Sequence, residues 1–342
     1  MSGEKCKTFE NLQTPVSLDL AVRFRYHGQN GVIPLDFDIP AGAEHILRTL
    51  TAAGYEAYLV GGCVRDLLRG VPPHDWDICT SARPEETERC FAGQRVIETG
   101  FRHGTITVLE DGEPYEITTY RADGPYSDSR RPDYVRFVSD LVADLARRDF
   151  TMNAIAMGLD GSLRDPFGGE ADIQAGQIRC VGEPVRRFQE DGLRLMRAMR
   201  FSASFGYEIE KKTAQAVHDS RTALTHVSAE RVNEEVRQLL VGENAGAVLR
   251  EYPDVLCRFW PELEALIDAP QGGWERAVCA VDAAPAELEP RLAALLRAAD
   301  PEAADRALLA LRFGKKTRKR VAALMERQSG PSPMESPLCV KT

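Results

Sequence analysis

Two aspartates separated by a single residue, Asp75 and Asp77, stand at the start of an apolar run in the stretch PHDWDICT. If this run is a β-strand, both carboxylates project from the same face, because strand side chains alternate between faces. Like charges this close repel each other unless a cation lies between them. Carboxylate oxygens are preferred ligands of Mg²⁺, which fills its remaining positions with water and substrate phosphates. The spacing therefore indicates Mg²⁺-assisted phosphate chemistry, although exposed aspartate pairs without a function are also common.

Two further features lie on elements that could bring them next to the aspartates. The run YEAYLVGG predicts a short strand that ends at Gly61 and Gly62, and CVRDLLRG predicts one or two helical turns after it. Backbone N–H groups at such a turn can approach phosphate oxygens, while an ordinary tight turn is the alternative. Glu116 lies in the predicted strand YEITTYR, on one face with Thr118 and Tyr120. A neighbouring strand could place Glu116 beside the aspartates, and an exposed strand residue is the equal alternative.

The elements that must position these residues follow two patterns along the chain. Up to about residue 167, helices alternate with short strands: AEHILRTLTAAG has helical spacing, WDICT favours a strand, and GTITVLEDGEPYEITTYR predicts a hairpin that turns at Asp111 and Gly112. From Asp172 to about Arg327, apolar residues recur at helical spacing nearly throughout. We therefore predict an α+β fold, in which a small mixed sheet with helices is followed by an all-helical remainder.

This change of pattern also predicts the domain boundaries. Residues 1–36 form an N-terminal extension that we leave unassigned, and residues 37–170 form the head. Residues 171–242 form a helical neck, and residues 243–328 form a helical body. Residues 329–342 contain three prolines and little apolar periodicity, which predicts a disordered tail.

Composition limits the classes of function. The 342 residues contain no apolar run of about 18 or more and no apolar signal region near the N-terminus, so we expect neither a membrane span nor a secretory signal. The eight cysteines show no zinc spacing and no Cys-x-x-Cys pair, which favours reduced thiols in the cytoplasm. The net charge of −9 means that any nucleic-acid contact must depend on local basic segments such as RRFQEDGLRLMRAMR and LRFGKKTRKR.

Six ordered motifs of the chain resemble those of class II tRNA nucleotidyltransferases, which comprise CCA-adding enzymes and bacterial poly(A) polymerases of the polymerase-β-like superfamily. The resemblance is dense over about residues 38–242 and continues more loosely to about residue 325. It implies a polymerase-β-like nucleotidyltransferase head followed by an all-α neck and body. The motifs, in chain order, are YLVGGCVRDLLRGVPPHDWDICTSARPEE, TGFRHGTITV, RRPDYVRFVSDLVADLARRDFTMNAIAM, DPFGGEADIQAGQIRCVG, RFQEDGLRLMRAMRFSASFGYEIE and SAERVNEEVRQLL.

For the head, the resemblance implies a catalytic metal site and a nucleotide-binding turn. The carboxylates that act in catalysis with Mg²⁺ would be Asp75 and Asp77 as metal ligands, with Glu116 as the third acid. The contacts to the triphosphate would come from Gly61, Gly62 and Arg65, and those to the ribose from Arg148, Asp149 and Asn153.

For the neck, the resemblance implies a helix that reads the incoming base. The residues implied are Glu190, Asp191 and Arg194 of EDGLR, the neighbouring Arg197, and the bracing residues Arg231 and Glu235 of ERVNEE. Cytosine and adenine both present an amino donor beside a ring-nitrogen acceptor, which Asp191 and Arg194 could meet from one face of one helix. Uracil and guanine reverse this pattern, so the two mismatches would give a discrimination of about 10²–10⁴.

The implied reaction is the addition of CMP and AMP, from CTP and ATP, to the 3′ end of tRNA without a nucleic-acid template. The alternatives are a poly(A) polymerase or an enzyme that adds only part of CCA. DSRRPD matches the flexible segment needed for adding A after C, and ETGFRHGTITV is typical of CCA-adding enzymes. An alternative of another class is a truncated, non-catalytic RNA-binding paralogue. The chain ends soon after LRFGKKTRKR, so we expect no tail domain, and LAALLRAADPE lacks a His-Asp motif, so we expect no phosphohydrolase activity.

Overall fold

The computed structural model describes residues 22–25, 36–124, 126, 134–269 and 272–328. The segment DSRRPD, the predicted tail and most of the N-terminal extension lie outside the described residues, so the predictions made for them stay predictions. None of the helices in the described part of the chain is long and apolar enough to cross a membrane.

Strands and short helices alternate in the first part of the chain, as the sequence predicts. The elements are β1 (Val22–Arg25), β2 (Asp36–Ile39), α1 (Ala41–Ala52), β3 (Ala57–Val60), α2 (Gly62–Leu68), β4 (Asp77–Thr80), α3 (Pro84–Cys90), β5 (Val96–Gly100), β6 (Thr105–Glu110), β7 (Glu113–Thr119), β8 (Arg121–Asp123), β9 (Val135–Phe137), α4 (Leu141–Ala146), β10 (Ala156–Met157), β11 (Leu163–Arg164) and α5 (Gly169–Ala175).

A seven-stranded mixed sheet in the order β11-β10-β3-β4-β7-β6-β5 forms the centre of the head. The β4–β7 pair is parallel and the other pairs are antiparallel. Strands β6 and β7 form the predicted hairpin, because Asp111 (φ 52°) and Gly112 (φ 88°) both adopt the positive φ angles of a tight hairpin turn. The predicted mixed sheet is confirmed.

Helices dominate the second part of the chain, which confirms the predicted helical remainder. The elements are β12 (Gln177–Ile178), α6 (Pro184–Glu190), α7 (Leu193–Phe205), β13 (Glu208–Ile209), α8 (Lys211–Asp219), α9 (Ala229–Val241), α10 (Ala245–Glu251), α11 (Pro253–Leu256), α12 (Glu264–Ile267), α13 (Gly273–Ala283), α14 (Leu288–Leu296), α15 (Pro301–Ala310) and α16 (Lys315–Gln328). One addition is the short parallel pair of β12 and β13, which the sequence analysis did not include.

The joint between head and neck depends on α7, which packs along α9. Helix α7 ends where Gly206 adopts the left-handed conformation (φ 69°), as glycine commonly does at a helix C-terminus. Apolar side chains of α7, among them Leu195 and Met199, belong to one continuous core that runs from the head into the body. This packing places the polar face of the N-terminal half of α7 against the head.

Candidate active site

The parallel pairing of β4 and β7 places two of the predicted carboxylates side by side. Asp77 is the first residue of β4, and its register partner on β7 is Glu116. Asp75 precedes the strand, so the prediction that both aspartates lie on one strand is wrong for Asp75. Its side chain is 86% exposed and accepts a hydrogen bond from Nδ1 of His74 at 3.0 Å. Regular strand structure begins at Asp77, one residue later than the predicted run WDICT.

The electrostatic environment of Asp77 favours a cation. Protein atoms surround its carboxylate on most sides although the residue keeps exposed surface, and this loss of solvation raises its pKa. Arg148 opposes the increase, whereas the charges of Glu116 and Asp75 add to it. Among the described residues, no three or more histidine, cysteine, aspartate or glutamate side chains converge on a point that could hold a metal ion. Two carboxylates suffice for Mg²⁺, which binds through one or two together with substrate phosphates, so the donor set fits.

The turn between β3 and α2 lets a guanidinium group approach the carboxylates. Gly61 has φ 80° and ψ −128°, a conformation that residues with a side chain rarely adopt. A Cβ atom at Gly61 would lie 2.8 Å from Nη1 of Arg148 and 3.8 Å from Oδ2 of Asp77. Glycine is therefore needed both for the backbone conformation and for the room that Arg148 occupies. Asp144 is fully buried, and its Oδ2 lies 3.6 Å from Nη2 of Arg148.

Arg65 and Asn153, which the resemblance assigns to different parts of the nucleotide, contact each other. Nη1 of Arg65 donates to Oδ1 of Asn153 at 2.8 Å, and Nε and Nη2 donate to the carboxylate of Asp66. Asn153 in turn donates from Nδ2 to Asp149 at 3.0 Å. The predicted triphosphate and ribose contacts thus form one connected network.

Asp149 joins this network to the neck. Its carboxylate accepts hydrogen bonds from Asn153, from the backbone N–H of Phe150 and from Nε of Arg197 at 2.7 Å. Burial raises the pKa of the Asp149 carboxyl, but Arg197, Asn153 and Arg194 outweigh burial and hold it well below its ordinary value. Asp149 is therefore ionised and engaged by protein groups.

The predicted base-reading residues lie at a break between two helices. Asp191 follows the end of α6 in an extended conformation, and Arg194 is the second residue of α7. The prediction that they share a face of one helix is therefore wrong, because Asp191 and Gly192 interrupt the helix. Arg231 contacts both oxygens of Asp191, at 3.2 and 2.8 Å. Glu235 contacts Arg200 at 2.8 Å and Arg197 at 3.9 Å.

Arg194 spans the joint between head and neck. It is 9% exposed and donates to Oε2 of Glu190 at 2.8 Å and to the carbonyl oxygens of Arg187 and Arg147. Arg147 belongs to the motif RRDFTMN of the head, so the neck residue directly contacts the segment that the resemblance assigns to nucleotide binding. In the described part of the chain these bonds use three of its five N–H groups.

Sequence reasoning missed several residues that hold the site in place. Asp144 forms ion pairs with Arg147 and Arg148, and its helical spacing of three and four residues from them is a signal that could have found it. The rings of Phe201 and Phe205 of α7 contact the guanidinium groups of Arg65 in the head and Arg200 in the neck. No signal in the sequence distinguishes these two from other apolar residues of an amphipathic helix.

Comparisons with known proteins show which family the chain resembles. Residues 57–179 match the family described as "Poly A polymerase head domain", and residues 206–254 match "Probable RNA and SrmB- binding site of polymerase A". The CCA-adding enzyme of Bacillus stearothermophilus, solved in complex with CTP, is 36% identical, with a TM-score of 0.69 over 84% of this chain and 69% of that one. The chain belongs to the family of CCA-adding enzymes and poly(A) polymerases. Members of this family are metal-dependent nucleotidyltransferases.

Other relatives show how far the similarity extends. The CCA-adding enzyme of Lacticaseibacillus paracasei is 48% identical over 221 residues, which are 64% of this chain and 55% of that protein. The CCA-adding enzyme of Thermotoga maritima, solved in complex with tRNA, is 21% identical with a TM-score of 0.65, a likeness of fold alone. The chain spans about half the length of the curated relatives that it matches.

Proposed function

We propose that this chain is a nucleotidyltransferase that adds CMP and AMP, from CTP and ATP, to the 3′ end of tRNA without a nucleic-acid template. The observation that carries the proposal is the register of β4 and β7, which sets Asp77 beside Glu116 next to the turn at Gly61. Relatives named as CCA-adding enzymes support it. In this proposal, the domains are residues 37–170, 171–242 and 243–328, and the location is the cytoplasm, where tRNA, CTP and ATP are available.

Asp75 and Asp77 would hold Mg²⁺, and Glu116 would add negative charge beside them. When bound there, the cation would supply charge that lowers the pKa of an attacking hydroxyl and neutralises a leaving pyrophosphate. The contribution of the chain is a carboxylate, Asp77, whose pKa is raised by burial and further by repulsion from Glu116 and Asp75. A bound cation would offset the repulsion between these carboxylates, and the ionised carboxylates would in turn favour binding of the cation.

No covalent enzyme intermediate is needed in this proposal. Cys63 follows the turn at Gly61 and Gly62, and its thiol is the kind of group that can form a covalent intermediate. It is buried, however, and its thiol donates to the carbonyl oxygen of Val60 at 3.3 Å. Burial and the charge of Asp77 raise the pKa of Cys63 to about 11. The thiol therefore stays protonated near neutral pH, where a nucleophile would need the thiolate.

Phosphate and sugar contacts would come from guanidinium groups at the turn. Arg65 and Arg148 are the two arginines closest to Gly61 and Gly62, and both are partly shielded from water. Charge-assisted hydrogen bonds from such groups to phosphate are roughly twice as strong as neutral ones. Asn153 would act at the ribose together with Asp149, which we propose also positions Arg197.

Asp191 and Arg194 would read the base through the acceptor and donor positions that are not used by contacts among the described residues. Oδ1 of Asp191 accepts from Arg231 and from the backbone N–H of Leu193, whereas Oδ2 accepts, among the described residues, from Arg231 alone. One lone pair of Oδ2 is therefore available for an exocyclic amino group. The N–H groups of Arg194 without a protein acceptor in the described residues would donate to the ring nitrogen. This combination accepts cytosine and adenine and leaves mismatched groups with uracil and guanine.

The decisive experiment supplies labelled CTP or ATP with tRNA ending before, within and just short of CCA, and measures product lengths. A product that stops after the terminal A supports CCA addition. A long A tail would instead favour poly(A) synthesis, the activity that the matched head-domain family is named for. Products that end after CC, or that form only from tRNA ending in CC, would indicate a partial-CCA enzyme.

Two variants make this experiment specific to the site. Asp77→Asn removes the negative charge at the start of β4 and is expected to abolish transfer. Glu85→Gln makes the same change at an exposed position of α3 and is expected to leave transfer unchanged. If the wild-type chain binds tRNA and forms no product with any substrate, the chain is a non-catalytic RNA-binding protein and the proposal is wrong.

A further inference from the structure

Two aromatic rings of the neck contact a guanidinium group of the head. Phe201 and Phe205 lie one turn apart on α7, with ring centroids 5.2 Å from each other. Cζ of Arg65 lies 5.1 Å from the centroid of Phe201 and 5.0 Å from that of Phe205. Arg69, one turn further along α2, has its Cζ 3.7 Å above the ring of Phe205. The contact therefore joins the helix that follows the glycine turn to the helix that carries Arg194.

Hydrogen bonds fix the orientation of Arg65 but leave part of it available. Nε and Nη2 donate to Asp66, and Nη1 donates to Asn153, so three of its five N–H groups have acceptors in the described residues. Nη2 lies 3.7 Å from the position that a Cβ atom of Gly62 would occupy. The second N–H group of Nη2 is therefore next to the turn whose backbone is proposed to bind the triphosphate.

The two rings add a cation–π attraction to the hydrogen bonds of the Arg65 guanidinium. A cation within about 6 Å of an aromatic centroid is attracted to the ring face, more strongly where water is excluded. The side chain of Arg65 is 11% exposed, so little water competes for it. Phe201 is fully buried and also contacts Arg200 at 3.7 Å, whereas Phe205 is only half-buried at the end of α7. Phe205 can therefore be changed with less disturbance of the core.

We propose that Phe205 is a positioning residue that acts through Arg65 on the triphosphate of the incoming nucleotide. The proposal rests on the proposed function, because it takes the turn at Gly61 and Gly62 as the triphosphate site. It predicts an effect that depends on the β- and γ-phosphates and not on the base or the sugar. It also means that docking of α7 against the head and binding of the triphosphate support each other.

The test compares binding of CTP and of CMP by titration calorimetry with Mg²⁺ present. Phe205→Leu keeps an apolar side chain of similar reach but removes the ring, and we expect the Kd for CTP to rise about three- to tenfold while that for CMP changes less than about twofold. In transfer assays, KM for CTP should rise more than kcat falls. Phe205→Tyr keeps the ring and should bind CTP like the wild type. Phe259→Leu, the same change at a half-buried phenylalanine of the body, should leave CTP binding unchanged.

A double variant tests whether Phe205 acts through Arg65. In the background Arg65→Ala, the change Phe205→Leu should weaken CTP binding no further, since the group it positions is gone. The proposal is wrong if Phe205→Leu weakens CTP binding in the Arg65→Ala background as much as it does in the wild type. It is also wrong if Phe205→Leu weakens CMP binding as much as CTP binding, or binds CTP like the wild type. A loss of CTP affinity in Phe205→Tyr equal to that in Phe205→Leu would contradict it as well. If the wild-type chain binds CTP but transfers no CMP, the proposed function is wrong. The role of Phe205 can still be tested in that case, because it is measured by CTP binding and not by transfer.

Discussion

Replacement of Asp149 by asparagine tests how the proposed nucleotide-binding segment is held against the neck. The change keeps the size and shape of the side chain and removes its charge. The oxygen facing Asn153 and the N–H of Phe150 can be retained, whereas the side facing Arg197 becomes an amide. Arg197 then keeps Glu235 at 3.9 Å as its nearest described acid, in place of Asp149 at 2.7 Å. We expect a marked loss of stability for this reason.

The magnitude follows from the burial of the pair. Removing one partner of a buried ion pair costs about 3–5 kcal/mol, because the other charge is left uncompensated. The side chain of Asp149 is 10% exposed, but that of Arg197 is 33% exposed and is partly stabilised by water. We therefore expect the free energy of unfolding to fall by about 2–4 kcal/mol.

The same substitution should change how stability depends on pH. The pKa of Asp149 is lower in the folded chain than in the unfolded chain, so its contribution is complete above the unfolded value of about 3.9 and is lost as the pH falls toward the folded value. Below about pH 4 the wild type should lose this contribution progressively. Asp149→Asn has no such group, so the difference between the two proteins should shrink as the pH falls.

The assay is urea unfolding followed by far-ultraviolet circular dichroism between about pH 2.5 and pH 7. Asp160→Asn provides a control at an exposed loop position, where hydrogen bonds from the side chain and the backbone N–H of Ser162 hold the pKa of Asp160 below its usual value and a loss of about 1 kcal/mol or less is expected. A loss below about 1 kcal/mol for Asp149→Asn at pH 7, or a difference from wild type that stays constant down to pH 2.5, would refute the reasoning.

Further predictions concern metal, base choice and RNA. Asp75→Ala or Asp77→Ala should leave circular dichroism unchanged and reduce transfer below about a tenth of the wild-type rate at saturating Mg²⁺, and a higher residual rate would argue against a metal ligand. Arg194→Ala should relax the exclusion of UTP and GTP and weaken use of CTP and ATP by about 1–3 kcal/mol, measured as kcat/KM for each nucleotide; full selectivity would mean that other groups read the base. Neutralising the exposed cations of α16 should reduce the salt dependence of tRNA binding, by about 0.7–0.9 in log–log slope for each phosphate that the protein no longer neutralises, and an unchanged slope would exclude this patch. The residues to change are Lys315, Lys316 and Lys319, with Arg318, which is paired with Asp305 at 2.6 Å, as the comparison within the same predicted patch.

The sequence by itself determined the elements whose causes are local. Aspartate and glycine at positions 111 and 112 place the β6–β7 hairpin because they tolerate positive φ, and Gly206 ends α7 for the same reason. Alternation along β4 and β7 and helical spacing from residue 172 onward reflect which side chains each element must bury. The order of six motifs added the family and therefore the chemistry to expect at Asp77.

Tertiary structure alone decided which groups touch. Arg65 meets Asn153 across 88 positions of the chain, and Asp149 meets Arg197 across 48. The start of β4 after Asp75 and the break at Asp191 also depend on packing, since pairing with neighbouring strands and contact with Arg231 decide where regular structure begins and ends. Periodicity states which face of an element is apolar, but it does not state which other element covers that face. The free energy that selects one arrangement comes from burial and ion pairing between distant segments, and these contacts exist only once the chain has folded.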